Sequence, residues 1–557
     1  MAGPTAESTT TTGISTYTVE DDQGGLQQIT LVANFENGAG TITLPDNNIR
    51  QVVISGDADE WDFSVDNVQF SPSGPVLLDP VDSGYLTGAQ ITTSTDLLSR
   101  GGVTVQGVAA DGVTQAVVRI PANNDGESLS VSVQDETGNQ GTVANNGGLF
   151  ALGGNPQSAA STLNVNAVNT PNGPMAFVIY LSPVNFARNS GDYYSSTRAI
   201  SLQIQSNDNP NYSLTANASV IRPPVILVHG LWGSAGDWGR QGFSLSAIDG
   251  IDVDTVDYYY PVLQGDQIQA TNPPYDQGYL NGIPTSALGF SYNAPLVDGG
   301  IRQGIADFRH INNAAAVTAD VVAHSMGGDI VRTIALGSGF QSNDTYGRGP
   351  IDKLITIGTP HLGSPLATDL LQDANKCVRQ RLAKKVNPSF ITVTTSAGPP
   401  INGGVGDLEG DGFGGGLSPA LGQLSDAGTL PFAMARVSAI TRGGNNLSGL
   451  NCTFCWSYVL HEYCSGPLAT SLTSNLWDSV FGQYNDAVVP LLSQLNGGTA
   501  GPNTPTLMGV IHSPGLEALN FLPPTELDQG SGVPAQVIYL LNEPPNGSDF
   551  QASIGGP

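Results

Sequence analysis

The segment VVAHSMGGDIV at residues 321–331 constrains the fold more than any other part of the chain. An apolar run ends at His324, Ser325 follows it, and two glycines lead into a segment with the apolar spacing of a helix. This order predicts a buried strand, a sharp turn at Ser325 and a helix. Such a turn holds the hydroxyl clear of the sheet, near the first N–H groups of the helix. The alternative interpretation is a serine that only caps the helix.

Strand and helix patterns alternate around this turn. The run VILV at residues 225–228 follows a Pro-Pro pair, and later segments such as GIRQGIADFRHINNA, GGDIVRTIAL and KLITIGTP continue the alternation. Alternation of this kind predicts a mostly parallel sheet with helices on both faces. Sites in such sheets form beyond the carboxyl ends of the strands, which is where Ser325 is expected to lie.

The first 220 residues have a different pattern. Short runs rich in Val, Ile and Thr alternate with Gly, Asn, Asp and Pro clusters, which predicts an all-β, sandwich-like region of one or two modules. The region has no histidine or cysteine, so we expect a spacer or stabilising module, with surface or substrate binding as the alternative. The predicted divisions are a flexible N-terminus at 1–15, the sandwich at 16–220, an α/β domain at 224–545 and a tail at 546–557.

Composition limits the partners of the chain. Lys and Arg number 19 against 48 Asp and Glu, and the resulting charge of −29 argues against nucleic acid as a partner. No run of 18 apolar residues occurs, so no transmembrane segment is expected. The acidic, Gly- and Ser-rich surface is typical of exported bacterial proteins. The start MAGPTAESTTTTG lacks the pattern of a signal peptide, so the protein is either cytosolic or a mature form without its signal peptide. We expect the second, a secreted protein.

The cysteines allow two interpretations. Cys377, Cys452, Cys455 and Cys464 are even in number, as expected for disulfides in an exported chain, and free thiols are also compatible. Three of them lie close to His461, so a zinc site is the alternative, but the gap from Cys455 to Cys464 does not match a common finger spacing.

A nucleophilic serine needs a base and an acid that orients the base. In TLMGVIHSPGLEAL, His512 follows a short strand and precedes a Pro-Gly turn, which suits a base at the edge of the sheet. The other histidines lie in motifs or segments that suit other roles: His229, His310, His324, His361 and His461. In YNDAVVPLLSQL, Asp486 lies in a turn and is the predicted acid, while Asp478 and Glu462 remain alternatives.

The segments VHGLWG, AHSMGG and GTPHLGS, with the loops of Asp486 and His512, resemble the bacterial true-lipase branch of the α/β-hydrolase superfamily over residues 224–545. Ala323 replaces the first glycine of G-x-S-x-G, and Ala487 follows the acid where this family usually has glycine. The resemblance implies a triad of Ser325, His512 and Asp486, with an oxyanion hole from the N–H groups of Leu231 and Met326. It also implies structural roles beside the site for His229, Gly230, His324, Gly327, Thr359 and His361. A shorter segment, ADGVTQAVVRI, resembles bacterial immunoglobulin-like domains.

The implied activity is hydrolysis of lipid-like or other apolar acyl esters, at an interface or polymer surface, through an acyl-enzyme and without a cofactor. A polyester depolymerase, a thioesterase and an acyltransferase would use the same triad. A hypothesis of another class is a surface-binding or adhesion protein that carries an inactive hydrolase fold.

Two insertions are candidate lids, near residues 232–300 and 362–431. The first is rich in aromatic residues that would line a cleft or pack in the core: Tyr258, Tyr259, Tyr260, Tyr275, Tyr279, Phe290 and Tyr292. The second contains DLEGDG at Asp407–Gly412, which begins like a calcium loop but has Ser418 where a bidentate Glu belongs. We therefore expect no metal at the triad, and calcium at this loop is the alternative.

Overall fold

The computed structural model of the chain describes residues 13–21, 26–33, 49–54, 74–82, 102–259, 284–372, 403–440, 484–513 and 524–552. The chain divides into two compact units, Met1–Pro75 and Val76–Pro557. In the first unit, strands β1 (Gly13–Asp21), β2 (Leu26–Ala33) and β3 (Ile49–Ile54) form an antiparallel sheet with β1 in the centre.

The second unit begins with two β-sheets between residues 76 and 221, called here the two-sheet region. Its strands are β4 (Val76–Asp79), β5 (Val103–Val105), β6 (Gly107–Ala109), β7 (Gln115–Pro121), β8 (Ser128–Asp135), β9 (Gly148–Phe150), β10 (Thr162–Asn166), β11 (Val168–Thr170), β12 (Gly173–Leu181), β13 (Thr197–Ser206) and β14 (Ser213–Ile221). One sheet has the order β11-β12-β7-β4-β5, with β9 also pairing β12, and the other has the order β10-β8-β13-β14-β6. A short helix, α1 (Val143–Asn146), follows β8.

The two sheets of this region share one apolar core. Alternate residues of β8, Leu129, Val131 and Val133, are buried against residues of the other sheet such as Val118 and Val178. Alternation of buried and more exposed positions is expected where one face of a strand is packed and the other faces solvent. The predicted division between a sandwich at 16–220 and a domain at 224–545 stays a prediction, as does the likeness to immunoglobulin-like domains.

A third sheet carries the remainder of the unit. Its strands are β15 (Val225–Val228), β16 (Val253–Val256), β18 (Ala319–His324), β19 (Ile351–Ile357), β20 (Ala433–Val437) and β23 (Gln551–Ala552), in the order β16-β15-β18-β19-β20-β23. The first five strands pair in parallel, and β23 joins β20 antiparallel. Every residue of β15 and of β18 is buried, because helices cover both faces of the sheet.

Side chains on alternate positions of a strand face opposite layers. Val321 and Ala323 of β18 lie in one apolar cluster with α3 (Phe290–Asn312) and α4 (Met326–Ile334). Val322 lies in another cluster with α9 (Val533–Asn542). The sheet is thereby packed between two helical layers, with Ser325 at the carboxyl end of a central strand.

Shorter elements complete the unit. They are α2 (Gly236–Arg240), α5 (Pro365–Gln372), α6 (Gly403–Asp407), α7 (Pro419–Asp426), α8 (Leu491–Gln494), β17 (Ala314–Ala315), β21 (Ala439–Ile440) and β22 (Leu507–Met508). The predicted insertion near 232–300 includes β16 and the first turns of α3, which belong to the sheet and its helical layer. The segments 260–283 and 373–402, where a lid remains a prediction, lie outside the described residues, as do all four cysteines.

The two-sheet region and the α/β part pack against each other directly. Strand β17, which follows α3, extends the sheet of the two-sheet region by pairing with β6. Asn185 Nδ2 also donates a hydrogen bond of 2.7 Å to the carbonyl oxygen of Asn542, at the end of α9. No helix in the described part of the chain is both long and apolar enough to cross a bilayer.

Candidate active site

Ser325 lies in a strained turn between β18 and α4. Its φ of 56° is in the left-handed region, which a residue with a side chain enters only at a cost. Neighbouring glycines make room for the turn: a Cβ on Gly230 would lie 2.6 Å from Ser325 Cβ, and one on Gly327 would lie 2.5 Å from the carbonyl oxygen of His229. The predicted strand–serine–helix turn is therefore present, with the small residues that such a close crossing needs.

His512 contacts the serine. Its Nε2 lies 2.8 Å from Ser325 Oγ, and the residue is 4% exposed. The backbone holds the ring in place, because His512 N donates to the carbonyl oxygen of Asp486 at 2.9 Å and the preceding residue, Ile511, bridges to Thr525. The 2.8 Å between Nε2 and Ser325 Oγ is suitable for transfer of the hydroxyl proton to the imidazole.

Asp486 holds the opposite side of the imidazole. Its Oδ2 lies 2.9 Å from His512 Nδ1, and Gln494 Nε2 donates to the same oxygen at 3.1 Å. Its Oδ1 accepts the backbone N–H groups of Val488 at 2.8 Å and Val489 at 2.6 Å. The carboxylate is thus fixed by its own loop. The alternative acids Asp478 and Glu462 lie outside the described residues.

A second carboxylate, that of Glu526, lies at the site and was not predicted from the sequence. Its Oε2 lies 3.2 Å from His512 Nδ1 and 3.0 Å from His324 Nε2. Glu526 is completely buried, and its N–H donates to the carbonyl oxygen of Ile511 at 2.9 Å. No local pattern in PPTELDQ marks this residue, because it is the tertiary pairing of Thr525 and Glu526 with Ile511 that brings it to the site.

Two carboxylates determine the electrostatics around His512. Burial disfavours the imidazolium of His512, but Asp486 and Glu526 outweigh this effect and raise the pKa of His512. Burial raises the pKa of Asp486, whereas the two histidine contacts outweigh burial at Glu526 and lower its pKa. Burial lowers the pKa of His324, which favours the neutral form of this ring. The two carboxylates therefore stabilise the imidazolium that would form when His512 accepts a proton.

The predicted oxyanion residues lie beside the serine. Leu231 follows Gly230, where an added Cβ would lie 3.1 Å from Ser325 Oγ, and Met326 is the first residue of α4. Gly404 of α6 packs against both, because a Cβ there would lie 2.8 Å from Leu231 Cδ1 and 2.9 Å from Met326 Sδ. A helix N-terminus with adjacent loop N–H groups is a suitable environment for a developing oxyanion.

His229 supports this loop from behind. Its ring stacks on Tyr258 with centroids 3.9 Å apart, and the Tyr258 hydroxyl donates to the His229 carbonyl oxygen. The ring of His229 contacts Gly230, Tyr258 and Asp257. Among the described residues, none of these ring contacts is with Ser325.

The GTPHLGS segment lies beneath α4. His361 Nδ1 is 3.0 Å from Arg332 Nη1 and 3.3 Å from Asp329 Oδ1, and burial lowers the pKa of His361 to about 4. Thr359 is buried against Gly328, where a Cβ would overlap its hydroxyl. Both residues pack against α4, the helix that follows Ser325.

The aromatic residues of the first insertion divide into two groups. Tyr258, Phe290 and Tyr292 are buried in the protein interior, which agrees with core packing, and Tyr259 is 40% exposed. Tyr260, Tyr275 and Tyr279 lie outside the described residues.

The predicted calcium loop is closed by its own hydrogen bonds. Asp411 Oδ1 accepts the N–H groups of Phe413 and Gly415, and Asp407 Oδ2 accepts that of Phe290 at 2.6 Å. Ser418 caps α7 through a hydrogen bond from Leu421 N. Calcium at this loop stays a prediction. Elsewhere in the described residues, His324, His512 and Glu526 bring ligand atoms within 4.8 Å of one another, but these atoms already form the hydrogen bonds given above.

No protein-family model and no curated protein matches this chain. Among solved structures, the mature lipase BlEst2 from Bacillus licheniformis is 15% identical, with 58% of this chain and 92% of that chain covered and a TM-score of 0.32. The phospholipase PlaB from Legionella pneumophila is 14% identical over 58% of this chain and 59% of its own, with a TM-score of 0.31. The thioesterase domain from the curacin biosynthetic pathway is 12% identical, with 62% of this chain and 95% of that chain covered and a TM-score of 0.22. These low similarities do not identify a family.

Proposed function

We propose that the chain is a serine carboxylic-ester hydrolase that cleaves apolar acyl esters through an acyl-enzyme. One observation carries this proposal: His512 Nε2 lies 2.8 Å from Ser325 Oγ while Nδ1 of the same ring lies 2.9 Å from Asp486 Oδ2. A hydroxyl, an imidazole and a carboxylate in this order are the parts that activate a serine for acyl transfer.

The mechanism follows from these contacts. As Ser325 Oγ bonds to the acyl carbon, its proton moves to His512 Nε2, and the carboxylate at Nδ1 stabilises the imidazolium. The N–H groups of Leu231 and Met326 would hold the oxyanion, each contributing about 3 to 4 kcal/mol to the transition state. As the ester bond breaks, the imidazolium donates its Nε2 proton to the leaving alkoxide oxygen, which departs as the alcohol. Water, activated by the neutral imidazole, releases the acid by the reverse sequence.

The direct test is hydrolysis of a series of p-nitrophenyl acyl esters of increasing chain length. We expect turnover by the wild type and a loss of about 10⁴-fold or more in kcat for Ser325→Ala, as for other triads. Ser130→Ala on β8, in the two-sheet region, is the matched control and should leave kcat unchanged.

Equal rates for the wild type and Ser325→Ala, or no turnover by either, would favour the binding-protein hypothesis. Parallel assays with acyl thioesters, polyester films and an added alcohol acceptor distinguish an ester hydrolase from a thioesterase, a depolymerase or an acyltransferase. The chain length with the highest kcat/KM identifies the acyl group that the site prefers.

We also propose that the protein acts outside the cell, on the basis of its charge of −29 and its low content of charged side chains. Fractionation of the source organism tests this: the esterase activity should be found in the culture medium. Activity confined to the cell extract would contradict it.

A further inference from the structure

Glu526 is a buried carboxylate that the triad does not require. Its Oε2 lies between two imidazoles, 3.2 Å from His512 Nδ1 and 3.0 Å from His324 Nε2. Burial of an ionised carboxylate is costly unless hydrogen bonds or positive charge compensate for it. A buried Glu526 therefore needs an explanation in terms of the two imidazoles that it contacts.

The surrounding backbone is shaped to accept this carboxylate. Gly358, at the end of β19, has a φ of +55°, and a Cβ there would overlap the Glu526 carboxyl group. The N–H of Glu526 pairs with the carbonyl oxygen of Ile511, one residue before His512. The segment that carries Glu526 is therefore held in register with the residue that it contacts.

His324 completes the arrangement. It is the residue before the nucleophile, its ring centroid is 4.7 Å from that of His512, and its Nε2 faces Glu526. A neutral His324 protonated at Nε2 donates this hydrogen bond, because a carboxylate oxygen can only accept. The contacts thus form a closed path from Ser325 through His512 and Glu526 to His324, which is covalently joined to Ser325.

We propose that Glu526 is a second acid of the site, which orients His512 together with Asp486 and is itself held in place by His324. In this role Glu526 is a positioning residue, and the proposal that it assists catalysis rests on the ester hydrolysis proposed above. The proton on Nδ1 stays on the imidazole throughout and is shared by two carboxylates. The proton from Ser325 is received at Nε2 and passed to the leaving oxygen, so the second acid adds no proton-transfer step.

The second acid should change how His512 titrates. The titratable groups that face this imidazole in the described part of the chain are Asp486 from the loop before α8, Glu526 from the segment after Thr525, and His324 from the end of β18. Removal of one negative charge in contact with an imidazole lowers its pKa. For Glu526→Gln we therefore expect the acid limb of the kcat/KM profile to move down by about one pH unit or more.

Two measurements report this effect. One is the pH profile of kcat/KM with a p-nitrophenyl ester, and the other is the titration of His512 by ¹⁵N-histidine NMR, which needs no turnover. Glu127→Gln in the two-sheet region is the matched control, because Glu127 is also buried and accepts hydrogen bonds, from Asn123 and Ser206. Its profile and titration should coincide with those of the wild type.

The second test neutralises the two acids singly and together. If Glu526 can hold the imidazole alone, Asp486→Asn should lose only about 10- to 100-fold in kcat, compared with about 10⁴-fold where a triad has a single acid. The double variant Asp486→Asn/Glu526→Gln should show the larger loss. Such non-additivity is expected when two residues share one role.

A further variant keeps the proposal testable if Glu526→Gln does not fold. His324→Gln removes one of the two imidazoles that contact Glu526 but leaves the negative charge of Glu526. The carboxylate should then interact more strongly with His512, which should move the acid limb of the kcat/KM profile to higher pH. The proposal is overturned if Glu526→Gln and His324→Gln both titrate as the wild type, or if Asp486→Asn alone loses as much activity as the double variant. Absence of turnover by the wild type would instead reject the proposed hydrolysis, and the NMR titration would still decide whether Glu526 acts on His512.

Discussion

The carboxylate of Asp111 in the two-sheet region accepts a hydrogen bond of 2.9 Å from the hydroxyl of Thr318, the residue that precedes the strand of the nucleophile. Asp111 is 4% exposed and also accepts from Ser182 Oγ and from the N–H and hydroxyl groups of Thr114. Thr114 Oγ1 in turn accepts the N–H of Val317. Buried hydrogen bonds thus join the two-sheet region to the sheet that carries the candidate site.

Asp111→Ala should destabilise the whole unit of residues 76–557. It leaves several buried donors without an acceptor, which we expect to lower the free energy of unfolding by about 3 kcal/mol. Urea unfolding followed by tryptophan fluorescence measures this change. Asp208→Asn, which alters an exposed acceptor for Ser128 N, is the control. A loss below about 0.5 kcal/mol would show that the junction contributes little.

Gly327→Ala should impair the site without unfolding the protein. The new Cβ would lie 2.5 Å from the carbonyl oxygen of His229 and 2.8 Å from that of Val228, so the loop before Leu231 would have to move. A displacement of this kind is expected to cost about 100-fold in kcat/KM. Gly239→Ala in α2 is the matched control, because its Cβ would meet no atom within 4 Å. Equal activity of the two variants would contradict the role given to this close contact.

Site residues and strands were predictable where their neighbours in the sequence mark the turn or the strand. Ser325 lies between an apolar strand and a Gly-Gly pair, and both His512 and Asp486 lie in turns next to short apolar segments. The structure brings all three together. Local patterns also indicated β15, β18 and β19, because strands buried on both faces are continuous apolar runs.

Features that depend on tertiary pairing were not predictable. Glu526 reaches His512 only because Thr525 bridges to Ile511, and TEL carries no sign of that contact. Strand β17 consists of two alanines whose pairing with β6 has no periodic signal. Tyr258 is an aromatic residue in an apparent insertion, yet it stacks on His229 in the core, because hydrophobicity alone does not distinguish a cleft from an interior.

Substitution of Ala487 would measure the backbone strain in the loop that carries Asp486. Its φ of 80° costs a residue with a Cβ about 1 to 2 kcal/mol, and glycine would relieve this but cost about 0.5 to 1 kcal/mol in backbone entropy. Ala487→Gly should therefore change stability by less than about 1 kcal/mol and retain activity.

Ala487→Val is the contrasting variant. A β-branched side chain at positive φ in a fully buried turn should cost more than about 2 kcal/mol and lower kcat by displacing Asp486. Thermal unfolding and ester hydrolysis of both variants measure these effects. Equal stability of the Gly and Val variants would show that the turn is not strained.

Asp407 should make stability depend on pH. Burial raises the pKa of this carboxyl to about 6, although its Oδ2 accepts the N–H of Phe290 at the start of α3. The folded state then binds the proton more tightly than the unfolded state does. The stability that Asp407 contributes is therefore fully present below about pH 4 and is lost as the pH rises through about 6.

Asp407→Asn removes this dependence because the amide oxygen can still accept from Phe290 N without carrying a charge. Loss of the favourable interaction of a carboxylate with the helix N-terminus opposes the gain by about 0.3 to 1 kcal/mol. The side chain is also partly exposed, so we expect a net gain of only about 1 to 2 kcal/mol at pH 8 and none near pH 4. Urea unfolding of the variant and the wild type at both pH values measures the difference, with the exposed Asp249→Asn as the control. If Asp407→Asn is the less stable protein at pH 8, the ionised carboxylate contributes more through its bond to α3 than its burial costs.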